Sequence, residues 1–117
     1  MEHRRQRFEG QIQREISRIL IERMNDPRLG MLSVTSVRAS ADLKHASVRL
    51  SIHGDPERVC QTLELLARAR GFVRHELGTA LKLRYVPELS FHEDEDLLRE
   101  ERVTELLGQI RTEESEA

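Results

Sequence analysis

The sequence predicts an α+β domain in which helices cover one face of a small sheet, and changes of hydrophobic period predict it. Apolar residues recur at helical spacing near the N-terminus, alternate strictly in the middle, and return to helical spacing on either side of another alternating run. The order read from these switches is helix, strand, strand, helix, helix, strand, helix, which suits an α+β layer arrangement. At 117 residues the chain has room for one modest core.

Residues 3–24 place Phe8, Ile12, Ile16, Ile19, Leu20 and Met24 on one helical stripe, with Arg4, Arg5, Arg7, Arg14, Arg18 and Arg23 largely off it. Asn25-Asp26-Pro27 stops that helix, because proline lacks a donor and disfavours a helical residue before it. Gly30 then closes the turn, and Arg28 braces it. Residues 31–39 (MLSVTSVRA) are rich in β-branched residues and predict a strand. Leu32 and Val34 share one parity and Val37 has the other, which points to a central strand or a bulge. After the polar connection Ser40–His45, the residues Ala46, Val48, Leu50 and Ile52 alternate with Ser47, Arg49, Ser51 and His53. That is a half-buried strand, antiparallel to the first.

Asp55 and Pro56 start a helix as N-cap and first helical residue. The helical pattern then runs toward residue 82. Leu89 and Phe91 alternate with Glu88 and Ser90, predicting a third strand with Pro87 at its beginning or at an edge. This strand follows a helical crossover, so a parallel neighbour is expected. Leu97, Leu98, Val103, Leu106, Leu107 and Ile110 predict a last short helix before a polar tail.

A net charge of −2 hides an asymmetry. Residues 1–92 carry 16 Lys/Arg and 11 Asp/Glu, whereas residues 93–117 carry 3 and 10. The division predicts a basic body over 1–92 and an acidic helix and tail over 93–117. Such a pairing fits a polyanion-binding surface with an extension that solubilises it or competes for it; two ordinary solvated faces are the alternative. The single Cys60 cannot form an internal disulfide, which fits a reducing cytoplasm. The opening residues lack the apolar run of a secretory signal, and no stretch approaches the roughly 18 apolar residues of a membrane span.

The helix after Pro56 contains Ala69-Arg70-Gly71-Phe72. On a straight helix of 3.6 residues per turn, with Arg68 at ~0°, the residues Val59, Leu63, Leu66, Val73 and Leu77 centre near ~180°. Arg70 falls near ~200° on that wheel, which would aim a charge at the core. A break at Gly71 changes the phase and turns Arg70 out, at little backbone cost for glycine. A gently bent helix with Arg70 snorkelling past the leucines is the alternative. A break also presents backbone donors at the start of the second helix, where an anion such as phosphate is favoured. Arg68, Arg70 and Arg74 lie around it, and Lys82 and Arg84 follow at its far end.

Enzyme chemistry finds no constellation in the sequence. The five histidines show no metal-ligand spacing with Cys60, for which a buried, inert thiol is expected. The run from His92 to Asp96 offers oxygen ligands for Mg²⁺, but the favoured reading is a solvated link or N-terminal charge for the last helix. Ser40, Asp42 and His45 read as a side-chain-stabilised turn. The aromatics Phe8, Phe72, Tyr85 and Phe91 sit mostly where a core would use them, so base stacking is not expected to dominate. RNA recognition is therefore expected through phosphates and shape. The candidates are Arg4, Arg5 and Arg7 on the first helix, then Arg68, Arg70, Gly71, Arg74, Lys82 and Arg84. No cofactor and no metal site is expected.

Four blocks then resemble bacterial ribosome-binding factor A. They are Asp26-Pro27-Arg28-Leu29-Gly30, Ser40-x-Asp42-Leu43-x-His45-Ala46-x-Val48, Gly71-Phe72-x-Arg74-x-Glu76-Leu77-Gly78, and Leu83-Arg84-x-Val86-Pro87-Glu88-Leu89-x-Phe91. The resemblance runs from about Phe8 to about Leu107. It implies a KH-like domain of the second type, with Ala69-x-Gly71 as an interhelical kink where ordinary KH domains carry a GxxG loop. It implies binding to the immature or free small (30S) ribosomal subunit and its 16S rRNA, supporting late maturation and 5′-end processing, notably in the cold. A cytoplasmic monomer acting without catalysis is expected. A protein-interaction module using a sheet edge or the final helix is the alternative.

Overall fold

The computed structural model describes residues 2–24, 26–29 and 31–94. Helix α1 (Glu2–Arg18) runs directly into a π-helical segment, Ile19–Met24. Its apolar stripe is the cause of its placement: Ile12, Ile16 and Ile19 are fully buried and Leu20 nearly so. On the outer side Arg18 bridges Glu15 and Glu22, neighbours at helical spacing. A 3₁₀ turn, Pro27–Leu29, follows and buries Leu29.

Strands β1 (Leu32–Ala39), β2 (His45–Ile52) and β3 (Glu88–Glu93) form a sheet in the order β1-β2-β3. β1 and β2 are antiparallel, while β2 and β3 are parallel, as a helical crossover between them requires. The mixed parity of β1 has a specific origin. Val34 pairs with Leu50 and Ser36 with Arg49, so Thr35 is an extra residue and the register shifts there. The bulge lets Leu32, Val34, Val37 and Ala39 all face the helices. The reading of β1 as a central strand is corrected: β2 is central and β1 lies at the edge.

α2 (Pro56–Arg68) begins as its sequence indicates, with the Asp55 carboxylate accepting from the Arg58 amide at 2.8 Å and Pro56 at the first turn. α3 (Arg70–Leu81) follows after one non-helical residue, Ala69. The interruption thus falls at Ala69, two residues before the glycine, and Gly71 lies in the first turn of α3. Its φ is not positive, and a Cβ built there meets nothing within 4 Å. Leu66, Val73 and Leu77, which share one stripe on the straight wheel, are fully buried, and Arg70 is exposed.

One core joins these elements. Ala46, Val48, Leu50 and Ile52 of β2 and Leu89 of β3 pack against Ile12, Ile16 and Ile19 of the N-terminal helix and against Val59, Leu66, Val73 and Leu77. Burying each large aliphatic side chain is worth roughly 1.5–3 kcal/mol. Cys60 is exposed, against the expectation of a buried thiol, because the inward stripe of α2 is Val59, Thr62 and Leu66. β3 ends at Glu93, one residue past the expected body–tail boundary. The expected last helix, and Asn25 and Gly30 of the first turn, lie outside the described residues.

Candidate nucleic-acid interface

The register between α1 and β1 decides where the first basic cluster goes. The Ala39 amide donates to the Glu9 carboxylate at 2.6 Å, and Gln13 Nε2 donates to the Val34 and Thr35 carbonyls, both at 3.3 Å. Moving toward the start of α1 therefore means moving toward the end of β1. Arg4 and Arg7, exposed, and Arg5, half-buried, belong to the turns that project toward that end of the sheet.

The hairpin turn between β1 and β2 closes the same end. It is a hydrogen-bonded unit: Ser40 Oγ donates to Asp42 Oδ1 at 2.6 Å, the Lys44 amide donates to the same oxygen at 3.0 Å, and the His45 amide donates to Ser40 Oγ at 3.1 Å. The hydroxyl bond from Ser40, then the Lys44 amide, hold the Asp42 carboxyl below the usual Asp range. Leu43 takes a positive φ of 60° to close the turn. Beside it β3 begins, since the Glu88 amide donates to the Lys44 carbonyl at 2.8 Å. The turn reading of Ser40, Asp42 and His45 agrees with this geometry.

The segment between α3 and β3 brings in the remaining cations. α3 ends at Lys82 in a left-handed conformation, φ 53° and ψ 45°, and both the Lys82 and Leu83 amides turn back to the Gly78 carbonyl. Lys82 and Arg84 are exposed, and the Arg84 guanidinium lies over the Tyr85 ring, 5.6 Å from its centroid. Arg74 has a different use. Its Nε donates to the Pro87 carbonyl at 3.1 Å, Nη2 to the Val86 carbonyl at 2.9 Å, and Nη1 faces Glu88 Oε1 at 3.4 Å. The whole fork thus holds the entry to β3, and it ties the first turns of α3 to the 82–87 segment.

Arg68, Arg70 and Gly71 at the α2–α3 junction are all exposed. No side chain caps the start of α3. Arg68 also borders a shallow pocket with Arg28, Gln61, Glu64 and Leu65. Arg28 itself grips Asp26 in two-pronged fashion, with Nε to Oδ1 at 3.1 Å and Nη2 to Oδ2 at 2.7 Å, so its bracing role in the turn is seen directly.

Two of the four aromatics are not core residues. Phe8 and Phe91 pack at the margin of the core, whereas Phe72 is 42% exposed and Tyr85 is 81% exposed. Tyr85 was expected where a core would use it, but it lies in the irregular chain before β3, which starts only at Glu88. Lys44 was also missed at this end; a hairpin turn necessarily lies at the end of its strands, which was the available signal. Among the described residues no group of three His, Cys, Asp or Glu is arranged to hold a metal ion. Among them, too, no helix is long and apolar enough to cross a membrane.

Comparison with known proteins gives a consistent result. The family model for ribosome-binding factor A matches residues 4–107. A ribosome-binding factor A from Gloeobacter violaceus is 43% identical over 115 residues, covering 96% of this chain and 89% of that protein. The crystal structure of ribosome-binding factor A from Thermus thermophilus superposes with a TM-score of 0.65 at 30% identity, covering 74% of this chain and 92% of that one. A homology model of the Thermus thermophilus factor, fitted into a cryo-EM map of its complex with the 30S subunit, aligns with a TM-score of 0.59 at 30% identity, covering 70% of this chain and 86% of that one. Three helices on a three-stranded sheet, shared with solved members, and a model match across both basic clusters lead to one assignment: this chain belongs to the ribosome-binding factor A family.

Proposed function

We propose that the protein is a ribosome assembly factor that binds the immature or free small ribosomal subunit through 16S rRNA, supports late maturation and 5′-end processing, and matters most in the cold. It acts in the cytoplasm as a monomer, by binding and not by catalysis, with the basic body over 1–92 meeting RNA and the acidic 93–117 segment appended. The fold is read as KH-like of the second type, with the Ala69 break and Gly71 where a GxxG loop would stand. The observation that carries this reading is a set of surface cations supplied by separate elements: Arg4, Arg5 and Arg7 from α1, Arg68 and Arg70 from the helix junction, and Lys82 and Arg84 before β3. Side chains so placed suit phosphates, which position a protein on RNA. The Thermus thermophilus relative fitted into a 30S complex supports the choice of partner.

Docking through the edge of β1 is disfavoured, since Glu9 and Gln13 already occupy backbone groups there. The test is cosedimentation with small subunits across a salt series. Binding is expected to weaken steeply as salt rises, because phosphate contacts release counterions. Arg70→Glu with Lys82→Glu is expected to abolish binding at moderate salt, each lost phosphate contact lowering the log–log salt slope by about one. Arg74 is left intact in this test because its loss would disturb the fold. A folded double variant that still cosediments like the parent protein would sink the RNA reading.

A further inference from the structure

Tyr85 is placed in a way that core packing does not explain. Its ring is 81% exposed, yet the chain on both sides of it is fixed. On one side the Lys82 and Leu83 amides bond to Gly78, and Leu83 packs against the core. On the other side Val86 packs against the core, and Arg74 grips the Val86 and Pro87 carbonyls. The segment is therefore anchored at each end, and the ring projects from it by construction. One side of the ring already carries the Arg84 guanidinium at 5.6 Å. Cation–π contact and anchoring together reduce the rotamer freedom a ligand would otherwise have to freeze.

The surroundings select the ligand. Arg84 lies against the ring, Lys82 is exposed three residues before it, and residues 82–87 contain no acid. Glu88, the next acid along the chain, faces Arg74. A flat, electron-rich ring with adjacent cations suits a planar group carrying phosphate on either side, which describes a nucleotide in an RNA strand. A base inside a duplex is already stacked on both faces and does not offer a free one, so the ligand is an unpaired nucleobase. We propose that Tyr85 stacks an unpaired nucleobase of the bound RNA, with Arg84 orienting the ring and Lys82 meeting the adjacent phosphate. This rests on the RNA-binding reading above and adds to it a single-stranded element in the target.

The protein reports on this directly, because it contains one tyrosine and no tryptophan. Its intrinsic fluorescence near 300 nm arises from Tyr85 alone. The full chain is titrated with a fluorescein-labelled 12-nucleotide single-stranded RNA and with a blunt duplex of equal length, following binding by anisotropy and tyrosine emission in parallel after inner-filter correction. Single-stranded RNA is expected to quench the tyrosine as it binds, and duplex to bind without quenching. Tyr85→Ala is expected to bind the single strand about ten-fold more weakly, with Tm and duplex affinity unchanged, and Tyr85→Trp to restore binding. Single-strand binding without quenching, or with full affinity in Tyr85→Ala, overturns the stacking proposal while the RNA reading stands. Loss of small-subunit cosedimentation in Tyr85→Ala at unchanged single-strand affinity also overturns it, since the ring would then meet protein. Failure of both RNAs to bind overturns the RNA reading, and stacking with it.

Discussion

At the residue scale, arginines that look alike in sequence do different work. Arg28 and Arg74 spend their forks on oxygens of the same molecule, while Arg70 and Arg84 stand exposed. The partner of Arg28 is two residues away, so its role was legible. The carbonyls held by Arg74 lie 12 and 13 residues ahead of it, across a turn whose path no local pattern gives. Cys60 and Tyr85 were misjudged for a related reason, since residue type states a preference for burial and only the helix phase or loop path states the outcome. The Arg28–Asp26 pair carries a pH consequence. Hydrogen bonds from the Arg28 side chain and then its amide hold the Asp26 carboxyl below the ordinary Asp range. A depressed carboxyl contributes stability that is present above its unfolded pKa, about 4, and lost as pH falls through the folded value. Asp26→Asn is accordingly expected to lower Tm at pH 7, with the gap from the parent protein closing toward pH 2 in thermal unfolding by circular dichroism.

At the element scale, starts and periods were legible and the interruption was only partly so. The Asp55–Pro56 start and the alternation of β2 appear where the sequence puts them, because both depend on neighbouring residues. The mixed parity of β1 correctly signalled a bulge but not an edge position, which depends on where β3 docks. In the paired helices Arg70 does face out, as the wheel argued it must, but the break was assigned to Gly71, the residue with the freest backbone. The structure makes the break with Ala69 at φ −85° and ψ 3°, a conformation open to any residue. Gly71 then carries the ordinary helical cost of glycine with open space where a side chain would go. Gly71→Ala is thus expected to stabilise the protein by about 0.5–1 kcal/mol in urea unfolding. A loss of stability would mean that the glycine is needed by the fold. Gly78 is the contrasting case: a Cβ there would lie 2.7 Å from Val86 Cγ2.

At the scale of the whole molecule, a basic body and an acidic C-terminal segment share one chain, and the proposed RNA partner would feel both. Changing Glu113, Glu114 and Glu116 together to Gln is expected to tighten small-subunit binding at low salt. The difference should vanish near 1 M salt, where the Debye length is about 3 Å; equal affinities at low salt would show that the segment's charge does not reach the interface. The parallel ladder between β2 and β3 has a consequence of another kind, in the timing of synthesis. β1 and β2 form a hairpin that can close as soon as both have emerged. Ser47 and its neighbour Ser90 are 43 residues apart, so β3 arrives much later. At about 5–20 residues per second, the second edge of β2 waits roughly 2–9 s for its partner. Until then Val48 and Leu50 lack their last strand, and a factor read here as serving ribosomes leaves one with its own sheet unfinished.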